Sequence, residues 1–256
     1  VHKILNSHNL DGLSQRFLNE TPFKHVVIDN FFKTEVAEEL VKEFPSYDDD
    51  SIWDTCYNNP IEIKKASNHW NKFPRMTYQT FSYLCSADFV SVVADITKNK
   101  NVIADIGLHG GGWHSHSANG KLNIHLDYSI HPKLNLERHY NLIVYMTPNW
   151  DTQWGGGLEL WSGDKETNLP KQRVKVVENK FNRAILFDTT DQSWHGLPKE
   201  LNCPPGIFRQ SLAIYYVSPT SENADPRQRA LFAPFGDQKN DQQILDLIRK
   251  RNSLLR

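Results

Sequence analysis

Read for its apolar spacing, the chain changes character near residue 101. Before that point the pattern is mostly helical. Val36, Ala37, Leu40, Val41 and Phe44 fall on one face of a helical repeat, with Glu38, Glu39, Lys42 and Glu43 outside it. Thr34 stands where an N-cap belongs, and Pro45 where a helix must stop. Asp48, Asp49 and Asp50 then read as an exposed loop, without the spacing of an EF-hand. Ser86 is placed to cap a second helix, because Phe89, Val92, Val93 and Ile96 follow at i, i+3, i+4, i+7. One short strand is predicted over 24–30. After residue 101, short runs rich in Val, Ile, Tyr and Trp are separated by Gly, Pro, Asn and Asp. They predict strands over 102–109, 121–130, 139–147, 157–162, 173–177, 183–188, 194–197 and 208–217. Short strands without long helices between them argue for a sandwich or jelly roll, and against a Rossmann or TIM-type parallel sheet. Pro219, Pro226 and Pro234 mark 218–237 as loop, and Ile244, Leu247 and Ile248 place a final helix over 242–255.

Composition narrows the function. The 29 Lys+Arg against 30 Asp+Glu leave no electropositive excess to hold nucleic acid. No run of about 18 apolar residues exists to span a membrane. Residues 1–6 lack the apolar segment of a signal peptide. Cys56, Cys85 and Cys203 are odd in number and form no CxxC pair, which suits a reducing, cytoplasmic compartment. The histidines say more: seven of the eleven lie between His109 and His195, alongside five of the seven tryptophans. Chemistry is therefore expected in the second half.

In the predicted strand around residues 121–127, Leu122, Ile124 and Leu126 point one way and Asn123, His125 and Asp127 the other. An imidazole and a carboxylate two residues apart on a strand face the same space. With one more imidazole they make a 2-His-1-carboxylate triad, which leaves three adjacent positions of an octahedral Fe(II) free. An HxD pair is common by chance, so its context decides. His195 follows the apolar strand Ala184-Ile185-Leu186-Phe187, and Arg209-Gln210-Ser211 opens the last predicted strand. Alternation puts Arg209 and Ser211 on one face, where a guanidinium and a hydroxyl can clamp a carboxylate. A core histidine and a surface arginine are the plain alternatives for each residue taken singly.

His125-x-Asp127, His195 and Arg209-x-Ser211, in this order, resemble the iron(II)/2-oxoglutarate-dependent oxygenases, in particular their prolyl-hydroxylase-like branch. Supporting segments are Tyr140-Asn141-Leu142-Ile143-Val144-Tyr145-Met146, Gly155-Gly156-Gly157-Leu158-Glu159-Leu160-Trp161 and, more weakly, 22–32. The resemblance implies an α+β, mostly β fold: a double-stranded β-helix (jelly roll) flanked by N-terminal helices and a C-terminal helix. One oxygenase domain is expected over 1–256, with 1–100 mainly helical support, 101–217 the catalytic core, and 218–256 loop and helix. It implies that His125, Asp127 and His195 ligate Fe(II) and that Arg209, assisted by Ser211, binds 2-oxoglutarate. Tyr145 and Asn141 stand where such enzymes place a second hydrogen bond to the cosubstrate, although either could satisfy a structural partner instead. With O2, the implied reaction hydroxylates a C–H bond and releases succinate and CO2. The substrate is expected to be a prolyl or other peptidyl group, an amino acid or another small molecule, with the 22–32 segment favouring a peptide.

Residues 108–116, with His109, His114 and His116 around three glycines, depart from the tyrosine-bearing first strand of animal prolyl hydroxylases. They are read as a mobile lid rather than a zinc site. Trp113, Trp150, Trp154, Trp161 and Trp194 could line a substrate groove or fill the core. The rival function is a cupin-type metal-binding isomerase or a non-catalytic binding module, for which Arg209 has no use. No G-x-S-x-G turn supports a serine hydrolase, and neither triple-glycine run leads into the Gly-Lys-Ser/Thr of a phosphate loop.

Overall fold

The computed structural model describes residues 4–189 and 192–253. Residues 1–3 and 254–256, which the expectations over 1–6, 1–100, 1–256, 218–256 and 242–255 include, lie outside that range. The chain begins with α1 (Leu10–Asn19), capped by the Asn9 side chain, and β1 (His25–Ile28). α2 (Thr34–Lys42) follows, with Lys33 rather than Thr34 at the cap position and no capping side-chain bond. Its expected face is inside: Val36, Ala37, Leu40 and Phe44 are buried. β2 (Thr55–Asn59) and β3 (Glu62–Ser67) then form a hairpin in a stretch expected to be helical or loop. Their sequence is too polar to announce strands. α3 (Arg75–Leu84) and α4 (Ala87–Thr97) complete the N-terminal helices, and Ser86 caps α4 by accepting from the Phe89 amide.

The remaining strands are β4 (Ile103–Ala104), β5 (Gly112–His116), β6 (Lys121–Leu126), β7 (Glu137–Tyr145), β8 (Leu158–Asp164), β9 (Leu169–Val177), β10 (Ala184–Asp188), β11 (Trp194–Leu197), β12 (Arg209–Ser218) and β13 (Leu231–Phe232). α5 (Gln242–Ser253) closes the described chain. The strands pair antiparallel along the path β1-β10-β7-β12-β5-β3-β6-β11-β8-β9, with β2, β4 and β13 attached at its sides. This is the expected jelly roll with flanking helices. No described helix is long and apolar enough to cross a membrane.

The lid expectation is corrected. Only Ile103–Ala104 of the predicted 102–109 strand is extended, whereas Gly112–His116 is a strand in mid-sheet, between β3 and β12. Gly112 explains this placement: its φ is +85°, and a Cβ there would collide with the Ser67 carbonyl. The glycine serves close approach of backbones, not mobility.

Strand alternation divides the core. Leu142 and Val144 of β7, Leu186 of β10, and Leu212, Ile214 and Tyr216 of β12 pack outward against Phe17, Leu40, Phe81 and Phe89 of the helices. Residues of the opposite parity, including Tyr145, Ile185 and Phe187, meet Leu158 and Leu160 of β8 inside the roll. Trp113 and Trp194 are core at 1% and 0% exposure, so of the five tryptophans considered for a groove only Trp150, Trp154 and Trp161 are partly exposed.

Candidate active site

His125 lies near the end of β6, and Asp127 follows just beyond it. β11 runs antiparallel to β6 with His195 opposite His125, which brings the ring centroids to 4.4 Å. The pairing slips between His195 and Leu197, and Gly196 occupies the slip. A Cβ at Gly196 would stand 2.7 Å from the Asn123 carbonyl and 2.8 Å from that of Leu122, so glycine permits the close strand contact beside His195.

Asp127 Oδ1 is 3.7 Å from His125 Nε2, and its Oδ2 is 3.7 Å from His195 Nε2. One ligand atom from each residue lies within 4.8 Å of the others, and all three residues are buried. Both imidazoles are oriented by their own strands. His125 Nδ1–H donates to the Asn123 carbonyl at 2.9 Å, and His195 Nδ1–H to the Ser193 carbonyl at 2.7 Å. These bonds leave each neutral ring with a bare Nε2 on the Asp127 side, the tautomer a metal requires. Burial, reinforced by His125 and opposed by Asp127, lowers the His195 pKa to about 4. Burial raises the Asp127 carboxyl, but the close approach of His125, with His195 and the Arg138 guanidinium nearby, outweighs it and holds the group below its ordinary range. Two imidazole nitrogens and an anionic oxygen around one buried point fit a divalent cation of the iron type.

Asp127 is itself held in place. The Tyr215 hydroxyl donates to Oδ2 at 3.1 Å, and Asn141 Nδ2 lies 3.5 Å from the same oxygen. Tyr215 and Tyr128 sandwich the Arg138 guanidinium, whose carbon is 3.4 and 3.5 Å from the two ring centroids. Arg138 donates to the His109 carbonyl and the Tyr128 hydroxyl. Phe187 stands edge-on to His195 and Phe232 stacks on His125, giving the metal side apolar walls.

A second group lies on the same interior face. Arg209 opens β12, is 3% exposed, and donates from Nε to the Gly156 carbonyl at 2.6 Å. Its guanidinium carbon is 5.0 Å from the Tyr145 ring centroid. No carboxylate among the described residues pairs with it, and burial lowers its pKa against the pull of Tyr145. Tyr145 is fully buried and its hydroxyl forms no well-shaped hydrogen bond. Ser211 pairs in register with Tyr145 on one side and His114 on the other. A desolvated cation without a counter-ion costs several kcal/mol. Such a place fits a carboxylate that enters from outside.

The structure thus gathers His125, Asp127 and His195 at one point, and Arg209, Ser211 and Tyr145 at another. Asn141 stands against Asp127 rather than Arg209. Sequence reasoning missed Tyr215, although it shares the parity of Arg209 and Ser211 on one strand. Arg138 was beyond its reach, because the β12–β7 pairing shifts register between Tyr216 and Val217, beside Arg138, and breaks the alternation there.

A family model described as the 2OG-Fe(II) oxygenase superfamily matches residues 111–217, which contain all five motif residues. Over that segment, about two fifths of its length, the chain is similar to that superfamily. Prolyl 3-hydroxylase OGFOD1 of Mus musculus is 29% identical to this chain over 83 residues, which cover 32% of the chain and 15% of the mouse protein. A prolyl hydroxylase from Trichoplax adhaerens, solved in complex with a hypoxia inducible factor oxygen degradation domain peptide fragment, superposes with a TM-score of 0.57 at 18% identity. That match covers 82% of this chain and 90% of the other. A Pseudomonas putida prolyl-4-hydroxylase gives a TM-score of 0.55 at 13% identity, over 83% and 100% of the two chains. At such identities the structural likenesses establish that this chain shares their fold.

Proposed function

We propose that the chain is an Fe(II)- and 2-oxoglutarate-dependent dioxygenase that hydroxylates a C–H bond of a prolyl-type, peptidyl substrate. The observation that carries this reading is the pairing, on one buried face, of a three-ligand metal point with an arginine that lacks an anion. His125, Asp127 and His195 would hold Fe(II), and Arg209 with Tyr145 and Ser211 the distal carboxylate of 2-oxoglutarate. Bound Fe(II) supplies the oxidative chemistry that consumes O2 and 2-oxoglutarate and yields succinate and CO2. The protein's part is orientation and exclusion. The two backbone carbonyls aim the imidazoles, Tyr215 and Asn141 steady Asp127, and Phe187 and Phe232 keep water from the reacting centre.

The prolyl assignment draws on the mouse relative, a prolyl 3-hydroxylase, and on the Trichoplax enzyme with its bound peptide. The free cysteines Cys56, Cys85 and Cys203 support a cytoplasmic location. The test incubates the protein with Fe(II), 2-oxoglutarate, O2 and a library of proline-containing peptides. Succinate formation and a mass gain of one oxygen on a peptide are expected, and Asp127→Ala should abolish both. Turnover by Asp127→Ala at the wild-type rate, or no decarboxylation by the wild type with any substrate, would refute the reading.

A further inference from the structure

We propose that His116 is a further residue of the cosubstrate site, where its imidazole hydrogen-bonds the distal carboxylate of 2-oxoglutarate beside Arg209. The inference rests on the oxygenase reading above and deepens it. Its first support is the facing of β5. Trp113 packs outward against Phe44 and Phe73, at centroid distances of 5.9 and 4.8 Å, so His114 and His116 of the opposite parity face the interior. Its second is register. His116 stands directly opposite Arg209 in the β5–β12 pair, and directly opposed residues share a face with Cβ atoms about 5 Å apart. Its third is an unmet need: His116 is 2% exposed, yet neither ring nitrogen forms a well-shaped hydrogen bond, the Arg209 backbone giving only a loose contact. Buried polar groups are rarely left so.

Three neighbouring groups share this condition. Arg209 lacks an anion, and the Tyr145 hydroxyl and the His116 ring have no well-shaped hydrogen bond beyond loose contacts with Arg209. They come from three adjacent strands, β7, β12 and β5, and a single carboxylate with two oxygens can answer all of them. Burial and the charges of Arg209 and Lys64 keep the imidazole neutral. A neutral ring can donate one N–H to an anion without repelling the guanidinium beside it. Tyr145 and Arg209 alone would leave one flank of that carboxylate facing an unsatisfied imidazole.

The test is calorimetric titration of Mn(II)-loaded protein with 2-oxoglutarate and with 2-oxopentanoate, which lacks the distal carboxylate. His116→Phe is expected to weaken 2-oxoglutarate at least tenfold and leave 2-oxopentanoate unchanged, with partial recovery in His116→Gln. His116→Leu replaces the Phe variant where the larger ring prevents folding. Unchanged 2-oxoglutarate binding, or equal weakening of both acids, would overturn the role of His116. Selective loss of 2-oxoglutarate in Arg209→Ala would at the same time leave the oxygenase reading standing. A wild type that binds no 2-oxoglutarate would overturn both.

Discussion

Replacing Arg209 with methionine should raise the stability of the ligand-free protein and remove its response to 2-oxoglutarate. Holding the guanidinium in place are the bond to the Gly156 carbonyl, worth about 1.5–3 kcal/mol for a charged donor, and the Tyr145 ring, worth about 0.5–2 kcal/mol. Against them stands the burial of an unpaired ion, which costs several kcal/mol. Methionine keeps most of the apolar stem and removes the charge, at the expense of one unsatisfied carbonyl. The balance favours the variant by about 1–2 kcal/mol, or roughly 2–8 °C in melting temperature at this chain length. The wild type in 2-oxoglutarate at about 100 times Kd should gain about 2.7 kcal/mol, or roughly 5–11 °C, and the variant nothing. Thermal melts with and without the cosubstrate should therefore reverse the order of the two proteins. A ligand-free Arg209→Met that melts several degrees below the wild type would refute the reasoning, because the cation would then be structural.

Tyr215→Phe removes the hydroxyl that holds Asp127 and should lower metal affinity about 10- to 100-fold with little change in melting temperature, as read by competition with a chromophoric chelator. Gly196→Ala forces a methyl against two carbonyls and should cost about 1–3 kcal/mol in urea unfolding, with a parallel loss of metal binding through the displaced His195. Acid should weaken the ligand-free protein from near pH 6.5 downward. Burial holds His114 at about 3 and keeps His116 far below its ordinary value, so the unfolded chain takes up protons that the folded one refuses. Each group removes up to about 1.4 kcal/mol per pH unit as the pH falls, and a urea midpoint that stays flat from pH 7 to 5 would contradict this.

Much of the scaffold was legible because its strands and helices carry their own periodicity. Val36 to Phe44 marks α2, and Phe89 to Ile96 marks α4. Leu122, Ile124 and Leu126 alternate with His125, and the apolar run 184–187 is buried on both faces, as its composition suggests. β5 was not legible. Gly112-Trp113-His114-Ser115-His116 offers no apolar alternation, and its strand state is imposed by β3 and β12 on either side. The β2–β3 hairpin is polar for the same reason: its partners, not its own sequence, make it extended. In the site, His125 and Asp127 could be found from their spacing along one segment, whereas the bond between Tyr215 and Asp127 joins residues 88 positions apart. Such pairings follow from topology, which a local pattern does not encode.

Both metal-facing imidazoles are tethered to a carbonyl two residues earlier in their own chain segment. Each ring's aim is thus written into a three-residue stretch, Asn123-Ile124-His125 or Ser193-Trp194-His195, and does not depend on a distant side chain. The surrounding walls can drift in evolution, or be recut by design toward other substrates, while these two short cassettes go on presenting the same lone pairs. What such redesign must not disturb is the glycine after the second cassette, which sets how near the two come.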